Sequence, residues 1–215
     1  MSGKLAFGKG SLPVVDADRE SCAAAMDALV LLLTAVSTAT AKEDRLQAAA
    51  RQSALGCIVK QGGLRSAVAW MVHSVQDAKG AAQQALAGTV VSGGQAVDKA
   101  ALTRVHVPPS AMRKSMGVRL RACGNISKLI TNCAGAAAAG TPGVVADDVF
   151  DAVLFAGGVE ALVEVVKADE DKGPVRQNAS IALARLAKNA ACAQRLRDCG
   201  GMQVLMQLHS ELGRR

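Results

Sequence analysis

Three glycine pairs, Gly62-Gly63, Gly157-Gly158 and Gly200-Gly201, each end one run of helical periodicity and begin another. Nothing else in the chain limits the fold as tightly, because a glycine in the left-handed conformation closes a helix and sets where the next begins. After each pair the apolar side chains return in one order. Leu64, Ala67, Val68 and Met71 follow the first, Val159, Leu162, Val163 and Val166 the second, and Met202, Leu205, Met206 and His209 the third. That spacing puts each set on one helix face. The second and third pairs lie 43 residues apart and the first lies 95 residues before the second, about one and two periods of a helical repeat of roughly 40 to 47 residues.

The last unit is the most regular. Val175, Ala179, Ala182, Leu183 and Leu186 form one stripe of a helix that Pro174 opens, since proline at the first helical position gives up an N–H that would be unpaired anyway. A shorter helix follows from Ala190 to about Cys199, and a third begins near Met202. Upstream, Val118, Arg119, Ala122, Leu129 and Asn132 match Val175, Arg176, Ala179, Leu186 and Asn189 at an offset of 57. This exceeds the 43-residue period by 14, and the alanine- and glycine-rich run from Cys133 to Val145 is the natural insertion.

In its order of parts this pattern resembles the armadillo repeat, in which a long helix opening Val-x-x-x-Ala leads through Asn to a short helix, a Gly-Gly-aliphatic turn and a helix with leucine pairs. Val175, Ala179, Asn189, Gly200, Gly201, Met202 and Leu205 occupy those positions. The resemblance implies an all-α, right-handed α–α superhelix of about three to four repeats, without catalytic function. Residues 16–215 would form it, with loop insertions near 92–110 and 134–146, behind a flexible arm over 1–15.

Composition agrees with closely packed helices. Half of the 215 residues are hydrophobic and 20% are charged, but only 2% are aromatic, so Ala, Leu, Val and Met must build the core. Cys22, Cys57, Cys123, Cys133, Cys192 and Cys199 form no Cys-x-x-Cys pair, and each reads as a reduced, buried thiol rather than part of a secreted disulfide framework. Asp16 to about Thr40 reads as a capped helix whose apolar run, Ala28 to Val36, is short of the roughly 20 residues that span a membrane. The chain is therefore expected to be soluble, cytoplasmic and not secreted. Next come a helix over Lys42 to Lys60, a helix carrying Trp70 and His73, and a weaker one from Asp77 to about Val91. Pro108-Pro109 forbids a helix through that point, so Gln95 to Ser110 reads as a long loop.

Charge concentrates beyond that loop. Between Asp98 and Ala136, Lys99, Arg104, Arg113, Lys114, Arg119, Arg121 and Lys128 face one acid, Asp98, giving +6 of the chain's formal +7. A field this one-sided attracts acidic partners. Peptide-binding armadillo proteins carry Trp and Asn on the long helix. The corresponding residues here are Ile181 and Arg185 in one unit and Gly124 and Lys128 in the other, so the resemblance implies a cationic concave face of Lys128, Arg185, Arg121, Arg113 and Lys114, able only to donate hydrogen bonds. At the other end, Met202, Leu205, Met206 and Leu208 lack a following long helix and are expected to be covered by a partner.

Other functional classes find little support. No phosphate loop, His-Glu-x-x-His or Gly-x-Ser-x-Gly motif occurs, no cofactor is implied, and Cys199 with His209 has no further ligand at zinc spacing. Despite a pI near 9.3, nucleic acid is disfavoured, because three Phe and no Tyr offer few stacking platforms. The expected role is a protein-binding or scaffold subunit of a large assembly, of the kind found in the microtubule-based axoneme of cilia, binding proteins with acidic surfaces. The alternatives are a soluble adaptor for a client peptide or cargo protein, and an RNA-associated helical repeat.

Overall fold

Helices account for all the regular structure of the described residues, which in the computed structural model are 45–90, 106–169 and 173–212. They are α1 (Arg45–Lys60), α2 (Gly63–Val90), α3 (Pro109–Met116), α4 (Arg119–Ala138), α5 (Ala146–Phe155), α6 (Gly158–Ala168), α7 (Pro174–Leu186), α8 (Ala190–Asp198) and α9 (Gly201–Leu212). The arm over 1–15, the helix expected from Asp16 to about Thr40 and most of the 92–110 insertion lie outside them.

Each glycine pair divides its labour. Gly62, Gly157 and Gly200 have φ of 74°, 76° and 72°, the left-handed region that costs an L-residue with a Cβ roughly 1–2 kcal/mol. The second glycine starts the next helix and serves a different purpose, close approach. A Cβ on Gly158 would stand 2.6 Å from Val68 Cγ1, and one on Gly201 would stand 2.7 Å from Val163 Cγ2. Val68 and Val163 each lie five residues beyond the second glycine of their own pair. The same seat is therefore built twice, with α6 resting on α2 and α9 resting on α6.

Every helix type packs against its counterpart. α2, α6 and α9 form one row, α1, α5 and α8 a second, and α4 lies along α7 in the most extensive helix contact of the described residues. α4 and α7 run parallel, since Gly124 meets Val175 and Asn178 near both N-terminal ends while Thr131 meets Arg185 further along. A Cβ on Gly124 would stand 3.1 Å from Val175 Cα, so this glycine lets the two backbones touch. Leu64, Met71, Met116, Ile126, Ile130, Leu162, Leu183 and Leu196 are fully buried among the rows, each stabilising the fold by about 1.5–3 kcal/mol. Trp70 is half-buried and fills an edge of the same core.

Local signals account for the ends of the last unit. Gly173 and Pro174 open α7, and Asp169 Oδ2 accepts from the Arg176 N–H at 3.0 Å, satisfying one of the first-turn donors. Asn189 caps α8 by accepting from the N–H groups of Ala191 and Cys192 at 3.0 and 3.1 Å.

Two expectations need correction. The helix carrying Trp70 and the helix expected from Asp77 are one, α2, because no residue between Ser74 and Asp77 interrupts the backbone ladder and Gly80 is tolerated within it. The described helices between the first two glycine pairs are α2, α3, α4 and α5, and residues 91–105 of that span lie outside the described residues. The run Cys133 to Val145 is helical through Ala138, and only residues 139–145 form the connecting turn.

Candidate interaction surface

The structure divides the five cations that the sequence assigns to one face. Arg113 and Lys114 come from α3, whose start at Pro109 and buried Met112 and Met116 turn both basic residues away from the core. Gly117, with φ of 49°, reverses the chain into α4, whose first turn carries Arg121. These three cations border an open hollow of about 640 Å³ whose far wall is Asp169, Gly173, Pro174 and Val175. Among the described residues one carboxylate lines it, Asp169, which is 5% exposed and bonded to the α7 N-terminus. The described lining thus carries more positive than negative charge, and that helix end adds to it.

Arg119 belongs to the same basic stretch but acts internally. Its Nη2 donates to Ser115 O at 2.7 Å, and its Nη1 lies 4.0 Å from Asp77 Oδ2, tying α3 and α4 to α2. Lys99 and Arg104 lie outside the described residues.

Arg185 stands apart from that hollow. Its Nη1 donates to Thr131 O at 2.7 Å, and its guanidinium covers Gly135 of α4. It is therefore not a free cation awaiting a partner, as the armadillo alignment implies, although the side chain is exposed. It borders a second hollow of about 620 Å³ together with Lys188, a residue that the sequence reading did not single out, three positions further on. Lys128, half-buried on α4, lines neither hollow. Gly124, at the position that the resemblance aligns with Trp, is instead buried against Val175, whereas Ile181 is 40% exposed. The aligned residues of α4 and α7 differ by 57, but Gly124 bonds Asn178 and Thr131 bonds Arg185 at a separation of 54. That three-residue difference displaces the aligned side chains along the helix axes by about 4.5 Å at 1.5 Å per residue.

The apolar set on α9 also separates. Met206 is 68% exposed, but Met202, Leu205 and Leu208 are half-buried against the core, so only one of the four stands open. Two ion pairs hold these last helices, Arg195 of α8 to Glu160 of α6 and Arg176 of α7 to Glu211 of α9 at 3.2 Å.

Among the cysteines, Cys123, Cys133 and Cys192 are buried and Cys199 is half-buried, but Cys57 is exposed, contrary to expectation, and Cys22 lies outside the described residues. Burial pushes the Cys123 and Cys133 thiols up to about 12, with Arg119 partly opposing it at Cys123. Burial, and then the Asp151 carboxylate, push Cys192 up to about 11. Thiols this hard to ionise are poor nucleophiles and poor metal ligands. His73, His106 and His209 are exposed and sit on α2, ahead of α3 and on α9. Among the described residues no cluster of three His, Cys, Asp or Glu could hold a metal ion, and no helix is long and apolar enough to cross a membrane. No protein-family model, no curated protein and no solved structure matches this chain.

Proposed function

We propose that this chain is a non-catalytic protein-binding subunit whose helices stack as a short armadillo-like superhelix, and that the Arg113, Lys114 and Arg121 hollow receives an acidic surface of a protein partner. The observation that carries the reading is a gathering of like charge at one concavity. Among the described residues three cations border it, and the one carboxylate that lines it is committed to the α7 N-terminus. The counterpart-on-counterpart packing of the helix rows supports the superhelix, since solenoid repeats contact chiefly their neighbours. A place in a large cytoplasmic assembly, including a microtubule-based one, rests on the armadillo resemblance, with which a preference for acidic partners is compatible.

Capture of partners from the native source by the full chain at low and moderate salt tests this. Recovery of a stable set of acidic proteins, reduced by Arg113→Glu with Lys114→Glu and Arg121→Glu, is the expected result. Tubulin with stable subunits would place the chain in a filament-based assembly, and a single acidic client would favour an adaptor. Nuclease-sensitive recovery, or recovery indifferent to the triple reversal, overturns the reading.

A further inference from the structure

The second hollow lies at the other end of α4. Arg121 and Gly135 are 14 residues apart on that helix, about 21 Å at 1.5 Å per residue, so the two concavities are separate sites. The second is floored by Ala134, Gly135, Ala136 and Ala138, and walled by Leu55 of α1 and Phe150 of α5. Small residues of the stretch that lengthens this repeat thus leave the space, and neighbouring helices enclose it. The connecting turn that closes one side is firmly placed. A Cβ on Gly56 would stand 3.1 Å from Gly143 O, so α1 and the turn meet backbone against backbone.

The rim has one sign of charge. Arg185 and Lys188 border it, and among the described residues no carboxylate lines it and neither cation forms an ion pair. The bond from Arg185 Nη1 to Thr131 O uses one of five guanidinium donors and fixes the group beside the hollow, with others left to donate. Gly135 is necessary to this placement, since any side chain there would collide with the guanidinium.

We propose that this hollow binds an acidic side chain together with an adjacent aliphatic one on a partner polypeptide, the carboxylate meeting Arg185 and Lys188 and the aliphatic group entering the alanine-floored space. The inference rests on the protein-binding reading and assigns it a second contact. Its volume, about 620 Å³, falls within the roughly 300–1,000 Å³ of ligand sites and exceeds what one carboxylate needs. A bare phosphate would gain nothing from Leu55, Phe150 and the alanines, and an uncharged aliphatic group would leave both cations unanswered. The pair of groups satisfies both parts of the surface.

Fluorescence anisotropy of the full chain with a short labelled peptide of alternating glutamate and leucine tests the proposal. Saturable binding is expected, weakened about tenfold by Arg185→Glu with Lys188→Glu, as for loss of one close charge contact. Ala138→Trp, at an exposed position that needs no core rearrangement, should fill the hollow and weaken binding by a similar factor. Far-UV circular dichroism establishes that both variants remain folded. Replacing glutamate by lysine or leucine by serine in the peptide should each abolish saturation. Unchanged affinity in the Arg185/Lys188 variant overturns the site, as does equal affinity for the serine peptide, which would mark simple electrostatic attraction. Displacement by an equal concentration of octanoate overturns the peptide assignment in favour of a small-carboxylate pocket. Partner capture indifferent to reversal at Arg113, Lys114 and Arg121, with this peptide still bound, would sink the first hollow's role alone; the converse pattern would sink this one alone.

Discussion

Alanine at Gly80 and at Gly124 should change stability in opposite directions, though both glycines lie inside helices. Both substitutions gain the same intrinsic term, about 1 kcal/mol for replacing glycine within a helix. At Gly80 nothing lies within 4 Å of the added Cβ, so that gain stands alone. At Gly124 the Cβ would sit 2.8 Å from Val175 Cγ2 and 3.1 Å from Val175 Cα. A rotamer change relieves the first contact but not the second, which requires α7 to move away from α4. Inserting a methyl group into a filled interface costs about 1–3 kcal/mol, so Gly124→Ala is expected to be net destabilising by up to about 2 kcal/mol. The shared helix term cancels in the difference between the two variants, leaving about 1–3 kcal/mol as the strain of the α4–α7 contact. Urea unfolding followed by far-UV circular dichroism measures both, with unchanged m-values indicating that the unfolded state is unaffected. If Gly124→Ala stabilises the chain as much as Gly80→Ala, the parallel helices are not in backbone contact and the packing described for them is wrong.

Asn189→Ala removes the acceptor for the Ala191 and Cys192 N–H groups, and a loss of about 1 kcal/mol is expected in the same unfolding assay; no change would remove Asn189 from the α8 cap. Cys57 should react with a thiol reagent in the folded chain, whereas Cys123 and Cys133 should react only on unfolding, as mass spectrometry of labelled peptides would show. The same two buried thiols stay protonated in the folded chain up to about 12, against 9.0 as the ordinary value. Their contribution is therefore complete below pH 9 and is lost as pH rises from there toward 12, because only the unfolded chain releases their protons. The loss should approach about 1.4 kcal/mol per pH unit for each thiol. Subtracting the pH dependence of a Cys123→Ala, Cys133→Ala variant isolates this effect, and identical slopes would show that burial does not control these thiols.

Where the sequence could be read correctly, the determinants are local. Pro174, Asn189 and Gly200 act within one turn of themselves, so the bounds of α7, α8 and α9 follow almost residue by residue. The helix now seen as α2 was harder, because Asp77 and Gly80 lower helix propensity without stopping a helix; packing of Val75, Ala78 and Ala82 into the core decides the matter. The destiny of Arg185 depends on Gly135 and Thr131, fifty and fifty-four positions earlier, a proximity that no periodicity records. Lys188 was missed because it follows the last turn of α7, outside the stripe by which helical residues are compared. Cys57 could have been placed from phase alone, since Leu55 and Val59 mark the covered side of α1 and Cys57 falls midway between them.

The valine seats beneath Gly158 and Gly201 separate axial geometry from chain length. Gly158 finds Val68 ninety positions earlier, and Gly201 finds Val163 only thirty-eight earlier, yet the two contacts are alike to a tenth of an ångström. The step along the row of α2, α6 and α9 is thus metered by a methyl group against a bare Cα, and polypeptide between rungs can lengthen without changing the ladder.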